Sequence, residues 1–136
     1  MKIVDIAEVN FNDDYSYTLR GVPFTGLARE CDKQGRLVAE MSFKNGIQDG
    51  VSTQYFPSGR VRFEKSYRSN TLHGESREWF ENGSLKQRTG HEFGFVLESD
   101  EWDEAGAQVK SFRLTEADPQ YKLLASRRKG EKSSPI

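Results

Sequence analysis

The chain is poor in the residues that usually carry chemistry. It has one cysteine and two histidines in 136 residues, four prolines, and a mean hydropathy of −0.79. A single thiol, Cys31, allows no intramolecular disulfide, which fits a reducing compartment. His73 and His91 are far apart in sequence, with no His-x-x-x-His or Cys-x-x-Cys spacing, so the pattern of a zinc site is missing. No catalytic constellation emerges, and a non-enzymatic role without a cofactor is expected. No apolar run approaches the roughly 20 residues of a membrane-spanning helix. The N-terminal MKIVDIAEVN lacks the apolar stretch of a signal peptide. The net charge of −1 disfavours a general nucleic-acid or anionic-membrane binder. The expectation is a soluble, cytoplasmic, bacterial protein with no direct nucleic-acid or membrane partner.

Aromatics, turn residues and a period are what the sequence does have. About every 24 residues one segment recurs: GLARECDKQG (26–35), GVSTQYFPSG (50–59), GESREWFENG (74–83) and LESDEWDEAG (97–106). Each holds Cys31, Tyr55, Trp79 or Trp102 five residues in, and each closes on a glycine. A fixed period of this length marks stacked supersecondary units. Within the second unit, Val51, Thr53 and Tyr55 alternate with polar neighbours. Pro57-Ser58-Gly59 then turns the chain, and Val61, Phe63 and Tyr67 return with Lys65 among them. Period two with a Pro-x-Gly interruption is a half-buried β-hairpin with a three-residue loop. The links KNGIQDG (44–50) and RSNTLHG (68–74) are rich in turn residues, which predicts one antiparallel meander.

The predicted fold is therefore mainly β: an elongated, twisted meander of hairpins with a short C-terminal helix. Strands over Ile3–Val9 and Tyr15–Arg20 precede four hairpins in 21–114. Asp118 as N-cap and Pro119 at the first helical position open a helix to about Arg128, with Tyr121, Leu124 and Ala125 facing the sheet. Residues 1–129 form one domain, and 130–136 read as a mobile tail. Tyr55, Trp79, Trp102, Leu37, Val61 and Leu85 are placed on one apolar face, opposite a face rich in Arg, Lys and Glu.

These units resemble MORN repeats, specifically the variant of the YwqK-type antitoxins. The likeness is carried by GVSTQYFPSGRVRFEKSY, GESREWFENGSLKQRTGH and the lead-in GVPFTG (21–26). It covers about residues 20–114. Cys31, His91 and Leu97 depart from the pattern. The resemblance implies an antitoxin or immunity protein that neutralises a cognate toxin, such as a nuclease or another cytoplasm-acting effector, by binding it. A scaffold or membrane-associated adaptor is the alternative that MORN-type repeats allow.

Two groups of residues are candidates for partner contact. Glu98, Asp100, Glu101, Asp103 and Glu104 surround Trp102, and residues 98–118 carry a charge of about −5. They read either as a negative docking surface for a basic toxin site or as a solvated edge strand that resists aggregation. Tyr55, Trp79 and Trp102 read either as interface anchors or as the core of the repeat. Cys31 takes a packing position, where a small buried thiol is expected. Arg127-Arg128-Lys129 reads as a solvated helix end.

Overall fold

A computed structural model describes residues 1–133. The four repeat hairpins pair Gly26–Cys31 (β5) with Leu37–Lys44 (β6), Gly50–Tyr55 (β8) with Val61–Arg68 (β9), Gly74–Trp79 (β11) with Leu85–Glu92 (β12), and Phe95–Trp102 (β13) with Gln108–Arg113 (β14). Short strands Ile47–Gln48 (β7) and Thr71–Leu72 (β10) lie in the links, and Ile3–Asp5 (β1), Val9–Phe11 (β2), Tyr17–Leu19 (β3) and Val22–Pro23 (β4) precede the repeats. The main sheet runs β1-β5-β6-β8-β9-β11-β12-β13-β14, antiparallel except where β1 pairs parallel with β5. β2, β3 and β4 form a separate small sheet.

Two kinds of turn generate this meander. Within hairpins, Gly59 donates its N–H to Phe56 C=O (2.9 Å), and Gly35, Gly83 and Gly106 repeat the bond in their own units. These glycines have φ between 81° and 92°, the left-handed conformation that closes a three-residue loop. Between hairpins, the pairs Asn45-Gly46, Ser69-Asn70 and Phe93-Gly94 have positive φ at both residues, as does Arg20-Gly21, which joins β3 to β4. This is the signature of a tight turn matching strand twist. Ser69 and Phe93 occupy that conformation without glycine's freedom, so the surroundings must hold them.

A ladder between links supplies the hold. Asn45 N–H donates to Thr25 Oγ (2.9 Å), Ser69 N–H to an Asp49 carboxylate oxygen (3.2 Å), and Phe93 N–H to His73 Nδ1 (3.1 Å). Backbone bonds run beside them: Gly46 N–H to Phe24 C=O, Asn70 N–H to Gln48 C=O, Gly94 N–H to Leu72 C=O, each 2.8 Å. The repeat thus couples each link to the next as well as each strand to its neighbour.

The apolar core sits at one end. Phe24, Ala28 and Phe43 are buried, and Val4, Ile6, Val9, Tyr17, Leu19 and Met41 pack on them. The rings of Tyr17 and Phe43 lie 4.7 Å apart. From β8 to β14 no strand contributes a buried apolar residue; the only buried side chains there are Thr89 and Asp100. The small N-terminal sheet covers the end of the array, and the C-terminal helix buries Leu124 apart from that cluster.

The ends of the chain differ from expectation. Ile3–Val9 is not one strand, because a 3-10 turn over Ile6–Glu8 interrupts it. Asp5 accepts the Ala7 N–H (2.8 Å) and Glu8 accepts the Asp5 N–H (3.2 Å), a reciprocal cap that overrides the strand-like pattern. The strand read over Tyr15–Arg20 contracts to Tyr17–Leu19, since Tyr15 and Arg20 both have positive φ.

The helix, Pro119–Ser133 (α1), continues past Arg128 through Gly130. Residues 130–133 of the expected tail are thus helical, and 134–136 lie outside the described residues. Asp118 turns its carboxylate back to accept the Thr115 N–H (2.8 Å). Leu124 is fully buried and Tyr121 half-buried, whereas Ala125 is exposed. The helix is tied to the third link: Arg128 pairs with Glu92, Arg68 pairs with Glu131, and the Arg127 guanidinium lies 4.9 Å from the Phe93 ring centre. Arg127 and Arg128 are therefore engaged within the chain rather than simply solvated.

Candidate functional site

Cross-strand register sets the chemistry of each face. On the uncovered continuation of the Ala28–Met41 face, Ser52 stands across from Lys65, Ser76 from Thr89, Thr89 from Ser99, and Ser99 from Phe112. The adjoining row is Gln54, Phe63, Glu78, Gln87, Glu101 and Lys110, each across from the next. Three clefts run along these rows. One of about 290 Å³ is lined by Phe63, Lys65, Ser76, Gln87, Thr89 and His91. A second, of about 220 Å³, shares Phe63 and Lys65 and adds Ser52, Gln54 and Tyr67. A third, also about 220 Å³, shares Gln87 and adds Ser99, Glu101, Lys110 and Phe112. Together they form a polar trough from β8 to β14.

The trough contains unspent hydrogen-bonding capacity. Ser52 Oγ, Ser76 Oγ and His91 Nδ1 are shielded from solvent and have no hydrogen-bond partner among the described residues. A buried polar group without a partner costs about 1–3 kcal/mol. Burial, aided by the charge of Lys65, pushes the His91 imidazole below its ordinary value and favours the neutral ring. Lys65 Nζ also lies 4.9 Å from the Phe63 ring centre. The surface thus offers hydroxyls, amides, an ammonium and aromatic rings in register. Among the described residues, no group of three or more His, Cys, Asp or Glu is placed to hold a metal ion. No helix is long and apolar enough to cross a membrane.

The opposite face is a charge ladder that largely satisfies itself. Arg29 pairs with Glu40 at 2.8 Å, and the Tyr55 hydroxyl donates to the same carboxylate at 2.5 Å. Burial and that carboxylate push the Tyr55 phenol up to about 12. Farther along, Asp100 accepts from Arg113 (3.0 Å), Ser111 Oγ (2.9 Å), Arg88 (3.1 Å) and Gln108 (3.2 Å). Only 5% of Asp100 is exposed, and these donors, Arg113 first, hold its carboxyl at about 2.

These contacts correct the reading of the acidic segment. Asp100 is inaccessible to a partner, and Glu98 is paired with Arg88 (3.3 Å) and Arg113 (3.7 Å). Glu101 faces the trough, 3.8 Å from Lys110. Asp103 accepts the N–H groups of Ala105 and Ala107 in the turn, and Glu104 stands exposed beside it. The five acids therefore split between two faces and a turn, and most of them meet a cation or an N–H. Nor is β13 an edge strand, since β14 lies outside it.

The aromatic row changes too. Tyr55 stands across from Val61, Trp79 from Leu85 and Trp102 from Gln108, all half-buried. They do not build one apolar face, because a register shift at each of these residues breaks the alternation. Phe63, Lys65 and Tyr67 consequently share the trough with Ser52 and Gln54, while Tyr55 joins Glu40. Cys31, expected to be buried, is exposed. The hydroxyl row has a signal in the sequence that its polar residues do not advertise: the third residue of the repeat units beginning at 50, 74 and 97 is Ser52, Ser76 and Ser99.

Comparison with known proteins agrees with the repeat geometry. Residues 48–69 and 72–90 match the family described as MORN repeat variant. No curated protein matches the chain. One solved structure, the "Crystal structure of GtfA/B complex bound to UDP and GlcNAc", aligns with 90% of this chain at 13% identity and a TM-score of 0.39. This chain spans 31% of that one. The matched residues fall on the second and third hairpins.

Proposed function

We propose that this chain is a non-catalytic binding protein of the immunity type, which neutralises a toxin by covering it with the polar trough. The observation behind this reading is the line of clefts along the sheet, where Phe63, Lys65, Gln87, Lys110 and Phe112 offer rings, an amide and ammonium groups in cross-strand register. The toxin-neutralising role itself is taken from the likeness of the repeats to YwqK-type antitoxins. A stable interface would bury on the order of 1,200–2,000 Å², more than the trough floor offers, so the rims must take part. The pairing of Asp100 and Glu98 within the chain withdraws the main reason for choosing a nuclease groove as the target. The reading keeps only a cytoplasm-acting effector.

The test is to ask whether a neighbouring reading frame encodes a toxic domain and to co-express that domain with this chain. Rescue with co-purification is the expected result. Ser76→Tyr, which fills the largest of the three trough clefts, abolishes both, whereas Ser76→Ala leaves the fold unchanged because its hydroxyl bonds to nothing among the described residues. Rescue without co-purification, or full rescue by a folded Ser76→Tyr variant, defeats the proposal. The scaffold alternative rests on the MORN-variant match and predicts instead several partners or binding to anionic vesicles.

A further inference from the structure

The repeat array ends on an open edge. β14 is last in the sheet, and among the described residues no strand pairs with its outer side. Leu114 N–H donates to Leu97 C=O (2.8 Å). Through the alternation of an antiparallel ladder, the N–H and C=O groups of Ser111 and Arg113 therefore point away from β13. All six residues of β14 are exposed. Such an edge is a template for another strand.

The chain shows what fits there. Three times, the return strand of one unit is paired by the opening strand of the next: β6 by β8, β9 by β11, β12 by β13. β14 is a return strand without a successor. In register, Lys110 takes the place held by Phe63, across from Glu78, and by Gln87, across from Glu101. Arg113 takes the place held by Gly90, across from Glu98, and by Ser66, whose hydroxyl donates to Glu75 C=O. Two of the three successor strands read Glu-Ser-x-Glu, Glu75 to Glu78 and Glu98 to Glu101, whereas β8 reads Val51-Ser52-Thr53-Gln54.

A second strand of that pattern outside β14 would bring carboxylates to Lys110, whose side chain is 74% exposed, and to Arg113, 51% exposed. Its serine position would lie against Phe112. A second copy of this chain does not supply such a strand. Its β11 and β13 are enclosed in their own sheet, and its β5 is already paired with β1. Its own β14 would set Lys110 and Arg113 against another basic strand.

We propose that the outer edge of β14 docks an extended segment of a partner protein as an added antiparallel strand. That segment carries two carboxylates three residues apart, facing Arg113 and Lys110, with a small residue opposite Phe112. This holds whatever activity the partner has; the docking edge is the outer backbone of β14, although Lys110 and Phe112 also line the last cleft of the trough.

The probe is a capped synthetic peptide with the sequence of residues 72–80, added to the ¹⁵N-labelled full chain. At about 1 mM peptide, amide exchange at Ser111 and Arg113 is expected to slow about tenfold. The amides of Lys110 and Phe112, already facing β13, change little. A peptide carrying Lys at both Glu75 and Glu78 has no effect, and Lys110→Glu in the protein loses the protection. Ser111→Pro, which removes an outward N–H that β13 does not use, also loses it. Unchanged exchange in the folded protein overturns the proposal, and so does equal slowing by the lysine peptide. Protection that grows with protein concentration alone would assign the edge to a second copy and equally overturn it.

Discussion

Asp100 and Tyr55 show how single side chains bind this thin sheet together. The Asp100 carboxyl falls from an ordinary 3.8 to about 2 because Arg113, Ser111 and Arg88 bond its charged form. A lowered folded-state value means the stability it contributes is full above the ordinary value and lost as pH falls through about 2. Asp100→Asn is therefore expected to be less stable than the parent at neutral pH, with the two curves converging as acid neutralises the carboxylate. Denaturant titrations at a series of pH values check this; a constant gap down to pH 2 would refute it. Tyr55 has the opposite sign. Its phenol is raised to about 12, so the neutral form is favoured and its contribution is lost as pH rises from about 10 through 12. Ultraviolet titration should show a tyrosine ionising near 12, and Tyr55→Phe should remove that transition.

The links between hairpins carry as much of the design as the strands. His73 Nδ1 accepts the N–H of Phe93, a bulky residue held at φ 50°. His73→Ala leaves that donor unpaired in a strained turn, and a loss of about 1–2 kcal/mol is expected in denaturant unfolding. Gly26 marks the start of the array: a Cβ there would sit 2.3 Å from Lys2 C=O, at φ 149°. Gly26→Ala should therefore detach β1, seen as rapid amide exchange at Leu27, which donates to that same carbonyl.

These details also mark what the sequence could express. Glycine-closed turns and the 24-residue period were legible because each rests on local backbone requirements. The face of each side chain was not, because one register shift per hairpin, as between Gln54 and Tyr55, reverses the alternation on which the reading depended. The acidic segment misled for a different reason. Its counter-charges, Arg88 and Arg113, lie on neighbouring strands, and only register brings them to Glu98 and Asp100. The hydroxyl row of the trough was present in the period, but serine carries no signal of burial by itself.

The whole molecule is lopsided. Its main apolar cluster is gathered under the N-terminal sheet at Phe24, Ala28 and Phe43, Leu124 is buried separately on α1, and the far end of the sheet terminates in the exposed β14. In a repeat array each unit contacts only its neighbours, so stability is close to a sum of units and the interfaces between them. Units that bury less apolar surface should open more easily. Native-state hydrogen exchange is accordingly expected to give a gradient, with the slowest amides in β5 and β6 and the fastest in β14. The α1 helix interrupts it locally, because Arg128–Glu92 and Arg127 over Phe93 brace the third link. Arg128→Ala should speed exchange at Phe93 and Gly94 more than in β5. Equal protection from β5 to β14 would mean that the sheet opens as one unit, and that the ladder between links transmits the stability of the core along the whole array. Partner binding to the trough or to the β14 edge should then protect the weak end most, since that is where free energy of opening is lowest and a bound segment adds the largest fraction to it.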